Sequence, residues 1–552
     1  MTHANRTTQP LGEVFKEIQR STSVKNWKKL IVVAVIGTLM SSAFTAPSSN
    51  ATANSITVAE TQAGGTNLQY IATPWVNSGG LWQTTMFRAL LITSPDGRTI
   101  KGDLASSYKV SKDGKTVTFT MKPGLKWSDG TALGADDVVW SINELLRVAQ
   151  ANANYVNAFK QIVGSSEVNA KSTASLSGVT SSGNNVTIQL VAPSLNFIPL
   201  MAQFMILPKH SLESQDPLTL ATNAFWKAPV TSGPFKVGTL SPGNFFTLVP
   251  NTNYEGTKPS ITEINVIKSA DLVSDARAGK IDYFYSNSPA IGNAMKSVTN
   301  FKAIPVNAPF YRYFVFNLTG ADAAFKNIKA RQALEYGVDW NSLVPLVYPT
   351  VGKVINSGVA PGMPYHLSTI PRYKYDVTKA KQLLKEANFD FSKTVRLRHY
   401  YGTDTVAITF MTAIAQQLKS LGMKVEMTPF QGDATTELYT TKNYDIALKG
   451  LSAFSVSEWY AEYSNTATFQ NIIGPQPDFA AANAALSQAV TLKEQGKALT
   501  DLQNLEQQTL LKMPLHLLRQ TVYVSTRISG VSTLGNPLYN WENNFANWKV
   551  GS

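Results

Sequence analysis

Ser111–Phe119 reads SKDGKTVTF, and three residues later Lys122–Trp140 reads KPGLKWSDGTALGADDVVW. Asp113-Gly114 is a strong turn signal between two short alternating runs, so Tyr108–Val110 and Val117–Met121 are expected to pair as a hairpin. A second turn is expected at Trp127–Thr131, and a helix from about Gly134. Asp136 and Asp137 fall in its first turn, where carboxylates favour exposed N–H groups and the positive dipole end. Val138, Val139, Ile142, Leu145 and Leu146 recur at helical spacing and form its apolar face.

Outward from this stretch, strands and helices mix along the chain, which argues for α/β or α+β. Lys171–Asn185, rich in Ser, Thr and Gly, reads as a surface loop. Val186–Leu190, Phe314–Leu318, Val425–Met427, Ile446–Leu448 and Val522–Ser525 read as short strands. Ile328–Val338, Val377–Ala387 and Ile408–Leu421 read as helices, the last ended by Gly422. Ala480–Gln508 reads as helices broken at Gly496. No internal repeat stands out.

The chain has 552 residues, 43% hydrophobic and 15% charged, enough for a large core and several structural units. It has no cysteine, which excludes disulfides, thiolate metal sites, a cysteine nucleophile and a lipid anchor at a cysteine. The formal charge of +13 is spread rather than clustered, which argues against a nucleic-acid partner. The five histidines, His3, His210, His366, His399 and His516, show no metal-ligand spacing, no nucleophile-elbow motif occurs, and no cofactor is expected. Lys25, Lys28 and Lys29 precede the apolar run Leu30–Met40, the order of a secretory signal. The run is short of the ~20 residues needed to span a bilayer. Residues 1–53 are therefore expected to be a signal peptide with a linker, the rival being an uncleaved anchor.

The ordered segments together resemble the solute-binding proteins of ABC importers, specifically the peptide/nickel-binding family. The hairpin, the Lys126-Trp127-Ser128-Asp129-Gly130-Thr131 turn and the Ala135-Asp136-Asp137-Val138 helix start carry the most specific part. Thr231–Phe235 (TSGPF), Phe325–Asp339, Tyr375–Phe389, Tyr444–Leu448 and Met513–Leu515 follow in the family's order. The resemblance implies an α/β fold of the periplasmic-binding-protein type, with two lobes hinged around a cleft and an extra α/β subdomain on the first lobe. Expected boundaries are 54–95, 230–312 and 518–552 for lobe I, 96–229 for its subdomain and 313–517 for lobe II. It implies a secreted, non-catalytic monomer that captures an oligopeptide and delivers it to an ABC permease. An oligosaccharide or other polar organic solute is the rival ligand, and a secreted glycoside hydrolase the rival of another class.

Peptide-binding members hold the ligand's ammonium with an Asp in a Gly-Trp-x-Ala-Asp-Tyr motif. Aligned without a gap, Gly450, Leu451, Ser452 and Phe454 occupy that stretch, with Phe454 at the Asp position. Aligned with a gap, Trp459 and Glu462 restore it. The ungapped register is preferred, because an insertion beside a strand must be absorbed by a loop. The resemblance also places Trp75, Asn77 and Trp82 in a ligand-contacting loop, Tyr155 on the subdomain, and Tyr283, Tyr285, Asn287 and His516 along the cleft. Any one of these aromatics is more often core than ligand contact.

Overall fold

The structure is a computed structural model. It describes residues 54–551 except 61–73, 77–82, 95–98, 150, 170–171, 173, 195, 321–322, 362, 371–372, 403, 453–455, 465–467 and 532–544. The expected signal segment, Asn77, Trp82 and Phe454 thus lie outside the described residues.

The strands in chain order are β1 (Ser55–Glu60), β2 (Leu91–Thr93), β3 (Ile100–Gly102), β4 (Ala105–Val110), β5 (Thr116–Met121), β6 (Val179–Ser182) and β7 (Asn185–Gln189). They continue as β8 (Phe235–Ser241), β9 (Phe245–Pro250), β10 (Glu263–Lys268), β11 (Tyr283–Ser286), β12 (Phe301–Phe316), β13 (Gly352–Val354), β14 (Thr394–His399), β15 (Lys424–Pro429), β16 (Ile446–Ser452) and β17 (Lys512–Ser525). One large mixed sheet runs β15-β14-β16-β12-β17-β11-β1-β10-β9-β8, with β13 beside β17, and a separate four-stranded sheet runs β4-β5-β7-β6.

The quoted stretch folds as its residues dictate. β4 and β5 pair antiparallel across the Asp113-Gly114 turn, and Gly114 takes φ +69°, a region glycine enters without steric cost. The helix Ala135–Leu145 starts at Gly134, whose N–H is accepted by the Asp137 carboxylate at 3.0 Å. Its face Val138, Ile142 and Leu145 is fully buried.

Two strands organise everything else. β12 has 16 residues and β17 has 14, and they pair antiparallel from Phe301↔Ser525 to Val315↔Lys512, with register shifts between Val306 and Phe310 and between Arg312 and Tyr313. The sequence shows only their ends, Phe314–Leu318 and Val522–Ser525. At one end, β17 pairs with β11, β11 is parallel to β1, and β1 is parallel to β10. At the other end, β12 pairs with β16, which is parallel to β14, itself parallel to β15.

Two readings of the sequence are corrected. The break among the late helices falls at 489–491, between Pro477–Gln488 and Leu492–Thr509. Gly496 lies inside the second helix, where a Cβ would come within 3.0 Å of the Tyr365 ring. The Ser/Thr/Gly-rich stretch is not loop throughout, because Val179–Ser182 is drawn into the small sheet as β6 by pairing with β7.

Candidate ligand-binding site

Strand direction locates the site. β11 runs so that Ser286 pairs with Thr521 while Tyr283 pairs with Val524, and β1 is parallel to it. The carboxyl ends of β1 and β11 therefore point toward the middle of the crossing strands. From the other end, β16 reaches Ser452 opposite Phe310, and parallel β14 ends at His399. Both sets of carboxyl ends converge on the β12/β17 crossing near Val306–Phe310. Open α/β sheets bind ligands outside the carboxyl ends of their strands.

On the β14/β16 side, successive residues of β12 face opposite ways, and the two faces differ chemically. Arg312, half-buried, pairs in register with Gly450. Its guanidinium lies 4.8 Å from the Tyr401 ring centroid, and Nη1 donates to the Tyr311 carbonyl at 3.3 Å. The Tyr401 hydroxyl donates to that of exposed Tyr400 at 3.1 Å, and the Tyr400 hydroxyl accepts the Gly450 N–H at 2.6 Å. A Cβ on residue 450 would sit 2.5 Å from Arg312 Nη1 and 2.5 Å from the Tyr401 hydroxyl, so glycine makes room for both.

The opposite face carries a buried ion cluster. Glu462 Oε1 lies 2.5 Å from Lys449 Nζ, and its Oε2 lies 3.1 Å from Lys512 Nζ and accepts the Tyr313 hydroxyl at 2.7 Å. Burial by itself would raise the Glu462 pKa, but Lys512, Lys449 and the hydrogen bonds from Lys449 and Tyr313 hold it down at about 2. Burial lowers Lys512 to about 8 against the pull of Glu462 and Glu506. Lys512 also packs over the Trp459 ring at 3.9 Å and donates to the Trp459 carbonyl. Glu506, wholly buried, accepts Trp459 Nε1 at 2.6 Å, the Tyr460 and Tyr463 hydroxyls at 3.1 Å each, and the Gly358 N–H at 2.9 Å.

The residues singled out from sequence fall into three groups. Trp75 and Tyr155 meet on Phe204, at ring distances of 5.4 and 5.5 Å, in the core. Both are spent on packing and internal hydrogen bonds, Trp75 Nε1 to the Met205 carbonyl and the Tyr155 hydroxyl to the Gln203 carbonyl. Tyr283 is likewise buried, edge-on to Phe545 and Trp548. These three rings therefore offer no exposed face in this arrangement.

Trp459 and Glu462 belong to the ion cluster. His516 is fully buried between Tyr348 and Phe410, and both of its ring nitrogens lack a hydrogen-bond partner among the described residues. Burial first, then Arg312, push its pKa well down, so it is neutral. Gly450, Leu451 and the Ser452 backbone end β16 at the strand crossing, while half-buried Tyr285 and exposed Asn287 stand at the end of β11. Arg312, Tyr400, Tyr401, Lys449 and Lys512 were missed. Their signal was a basic residue between aromatics in Tyr311-Arg312-Tyr313 and the Tyr400-Tyr401 doublet after a strand.

Comparison with known proteins agrees with this geometry. The oligopeptide-binding protein AppA of Bacillus subtilis is 28% identical over 384 residues, 65% of this chain and 66% of that protein. A relative in Brucella ovis is 28% identical over 361 residues, so the chain spans only 64% of that relative's length. Among solved structures, the ABC transporter substrate-binding protein CtaP of Listeria monocytogenes superposes with TM-score 0.74 at 21% identity, covering 90% of this chain and 99% of that one. AppA of Bacillus subtilis, in complex with a nonapeptide, superposes with TM-score 0.66 at 21% identity, covering 90% and 99%. The fold is the two-lobed, hinged one of these proteins, with β12 and β17 crossing between its halves. The model of the bacterial extracellular solute-binding proteins, family 5, matches residues 99–490, well over half of the sequence. With convergent strand ends at a two-strand crossing and that match, the chain belongs to the bacterial extracellular solute-binding proteins of family 5.

Proposed function

We propose that this protein is the capture component of an ABC-type importer, taking an oligopeptide between its lobes outside the cytoplasmic membrane and presenting it to a permease. The observation that carries this reading is the convergence of two sets of strand carboxyl ends on a crossing of only two strands. Such a crossing is a hinge, and a ligand shifts it toward closure by its differential affinity for the closed state. The peptide class follows from the peptide-binding names and the nonapeptide complex among its relatives. We place lobe I at 54–95, 230–312 and 518–552, its subdomain at 96–229 and lobe II at 313–517. The chain works as a monomer without catalysis, and among the described residues no helix is long and apolar enough to cross a membrane.

Native mass spectrometry of the purified protein, followed by titration calorimetry with a tetrapeptide and an oligosaccharide, tests the proposal. A bound, unmodified peptide and saturable tetrapeptide binding are expected. Binding of the oligosaccharide alone would replace the ligand class, and turnover of the glycan would replace the receptor by an enzyme.

A further inference from the structure

From the charge layout at the β16 end we infer that this protein grips its ligand by a carboxylate, at Arg312, and not by an ammonium. The inference rests on the peptide reading above and names which end of the peptide the second lobe holds.

The first half of the argument is subtraction. Glu462 is the carboxylate that the gapped register would assign to a ligand ammonium. Here that carboxylate already faces two lysines and a tyrosine hydroxyl, at 2.5, 3.1 and 2.7 Å. One negative charge between two positive ones has no net attraction left for a third cation. Desolvating an ammonium there without a counterion is costly. A second carboxylate of this face, Glu506, is fully buried and engaged by four donors.

The second half is an unmatched cation. Among the described residues Arg312 forms no ion pair; its partners there are the Tyr311 carbonyl and the Tyr401 ring. Asp404, the carboxylate that opens the neighbouring helix Thr405–Ser420, is turned to its own cap, accepting the N–H groups of Val406 and Ala407 at 2.9 and 3.1 Å. His516, the β17 partner of Arg312, is neutral and brings no negative charge. The sequence keeps glycine at 450, and the space of the missing side chain is taken by the guanidinium and the Tyr401 hydroxyl. A planar guanidinium braced on a ring, beside two phenol hydroxyls, matches a carboxylate, which it can grip with two parallel N–H donors. Two sources supply that group in a peptide, the free C-terminus or an acidic side chain.

Titration calorimetry on the wild-type protein with four tetrapeptides separates these cases: tetra-alanine, its N-acetylated form, its C-terminal amide, and an amide carrying one Glu. The free and acetylated acids are expected to bind within about threefold of each other. The alanine amide is expected to bind about 10- to 100-fold more weakly, the range a charge-assisted hydrogen bond supplies. Recovery by the Glu amide shows that an acidic side chain can take the same grip, and no recovery restricts the grip to the C-terminus. Arg312→Gln should erase the acid/amide difference, and Arg312→Lys, which keeps charge but not the fork, should restore part of it. Equal binding of the acid and both amides to the wild type, or loss on acetylation alone, overturns the inference while leaving the peptide reading standing. If none of the peptides binds, the peptide reading falls. Succinate and benzoate then decide the carboxylate inference separately: binding that Arg312→Gln abolishes sustains it, and no binding ends it.

Discussion

Arg312 and Tyr313 are neighbours on one strand and face opposite chemistries. Behind Tyr313, two lysines share one glutamate, the aromatic rings of Trp459 and Tyr463 lie over Lys512, and each cation has its counter-ion inside the protein. On the other face, half-buried Arg312 meets rings, hydroxyls and a backbone carbonyl among the described residues. A buried cation that the chain itself neutralises is scaffold. Arg312, paired with the end of β16, has no counter-ion among the described residues, which is the ground for proposing it as a ligand group. By that criterion Glu462 serves the fold, and Arg312 is the group we propose for the ligand.

The comparison breaks most sharply at Glu462. Glu462→Gln leaves Lys512, which is fully buried, facing a neutral amide. Removing one partner of a buried pair costs about 3–5 kcal/mol, so urea unfolding should show a loss of that order. The pH dependence follows from the same carboxylate. Its pKa falls from an ordinary 4.5 to about 2 on folding, so the unfolded chain binds the extra proton between those values. The stability it contributes is complete above about pH 4.5 and is lost as pH falls through 2. Wild-type protein should therefore lose stability across that window by a component that Glu462→Gln lacks. A variant as stable as wild type would make Glu462 a ligand group after all.

Trp75→Ala is expected to cost about 3–5 kcal/mol through the cavity it opens against Phe204 and Trp140. Peptide affinity of the folded fraction should stay unchanged. An unchanged melting temperature with lost affinity would move Trp75 from core to cleft.

Much of the fold was legible because its signals are local. Asp113-Gly114, the carboxylate opening Ala135–Leu145 and the periodicity of Val377–Glu386 each act within a few residues. The crossing strands were only half legible. Their middles contain Pro305 and the shift between Val306 and Phe310, which interrupt any alternation, and pairing across roughly 200 residues leaves no local trace. The site was harder still. Trp75, Trp459 and Glu462 are residue types that serve ligand or core equally well, and only burial and partners tell the uses apart. Arg312 needed the register that sets it over Gly450, a contact set by strand pairing alone.

Gly450→Ala sharpens the comparison on the other face. A methyl group there would meet the ends of three side chains, Arg312, Tyr401 and Tyr400, at 2.5, 2.5 and 3.2 Å. Those ends can swing away, so the fold should survive with a stability change under about 1 kcal/mol. The displaced guanidinium should lower affinity for a free-carboxylate peptide by roughly tenfold, about 1.4 kcal/mol, and affinity for its amide hardly at all. Equal losses for both peptides would mean that the methyl group blocks the cleft and that Arg312 is incidental.

The smallest effect is expected where the neutralised face meets the other half of the molecule. The helix Val456–Ala461 carries Trp459 into the ion cluster, and its Ser457 hydroxyl donates to Asn196 Oδ1 at 2.8 Å. Ser194, Asn196, Ser457, Glu458, Asn483 and Ser487 line a cavity of about 140 Å³ at this junction. Close by in sequence to that wall, the Gly114 turn packs so tightly on Val490 that an added Cβ would lie 2.5 Å from its side chain. If the Ser457–Asn196 contact forms only when the lobes close on ligand, Asn196→Ala removes that exposed hydrogen bond from the closed state alone. Such a bond is worth about 0.5–1.5 kcal/mol, so peptide affinity should fall about 2- to 10-fold, mainly through faster release, with no change in the melting temperature of the unliganded protein. Ser457→Ala should do the same, and the double variant should be no weaker than either single one. Additive losses would show that the two residues act separately. A drop in unliganded stability would show that the contact persists without ligand, and then it would be part of the resting fold.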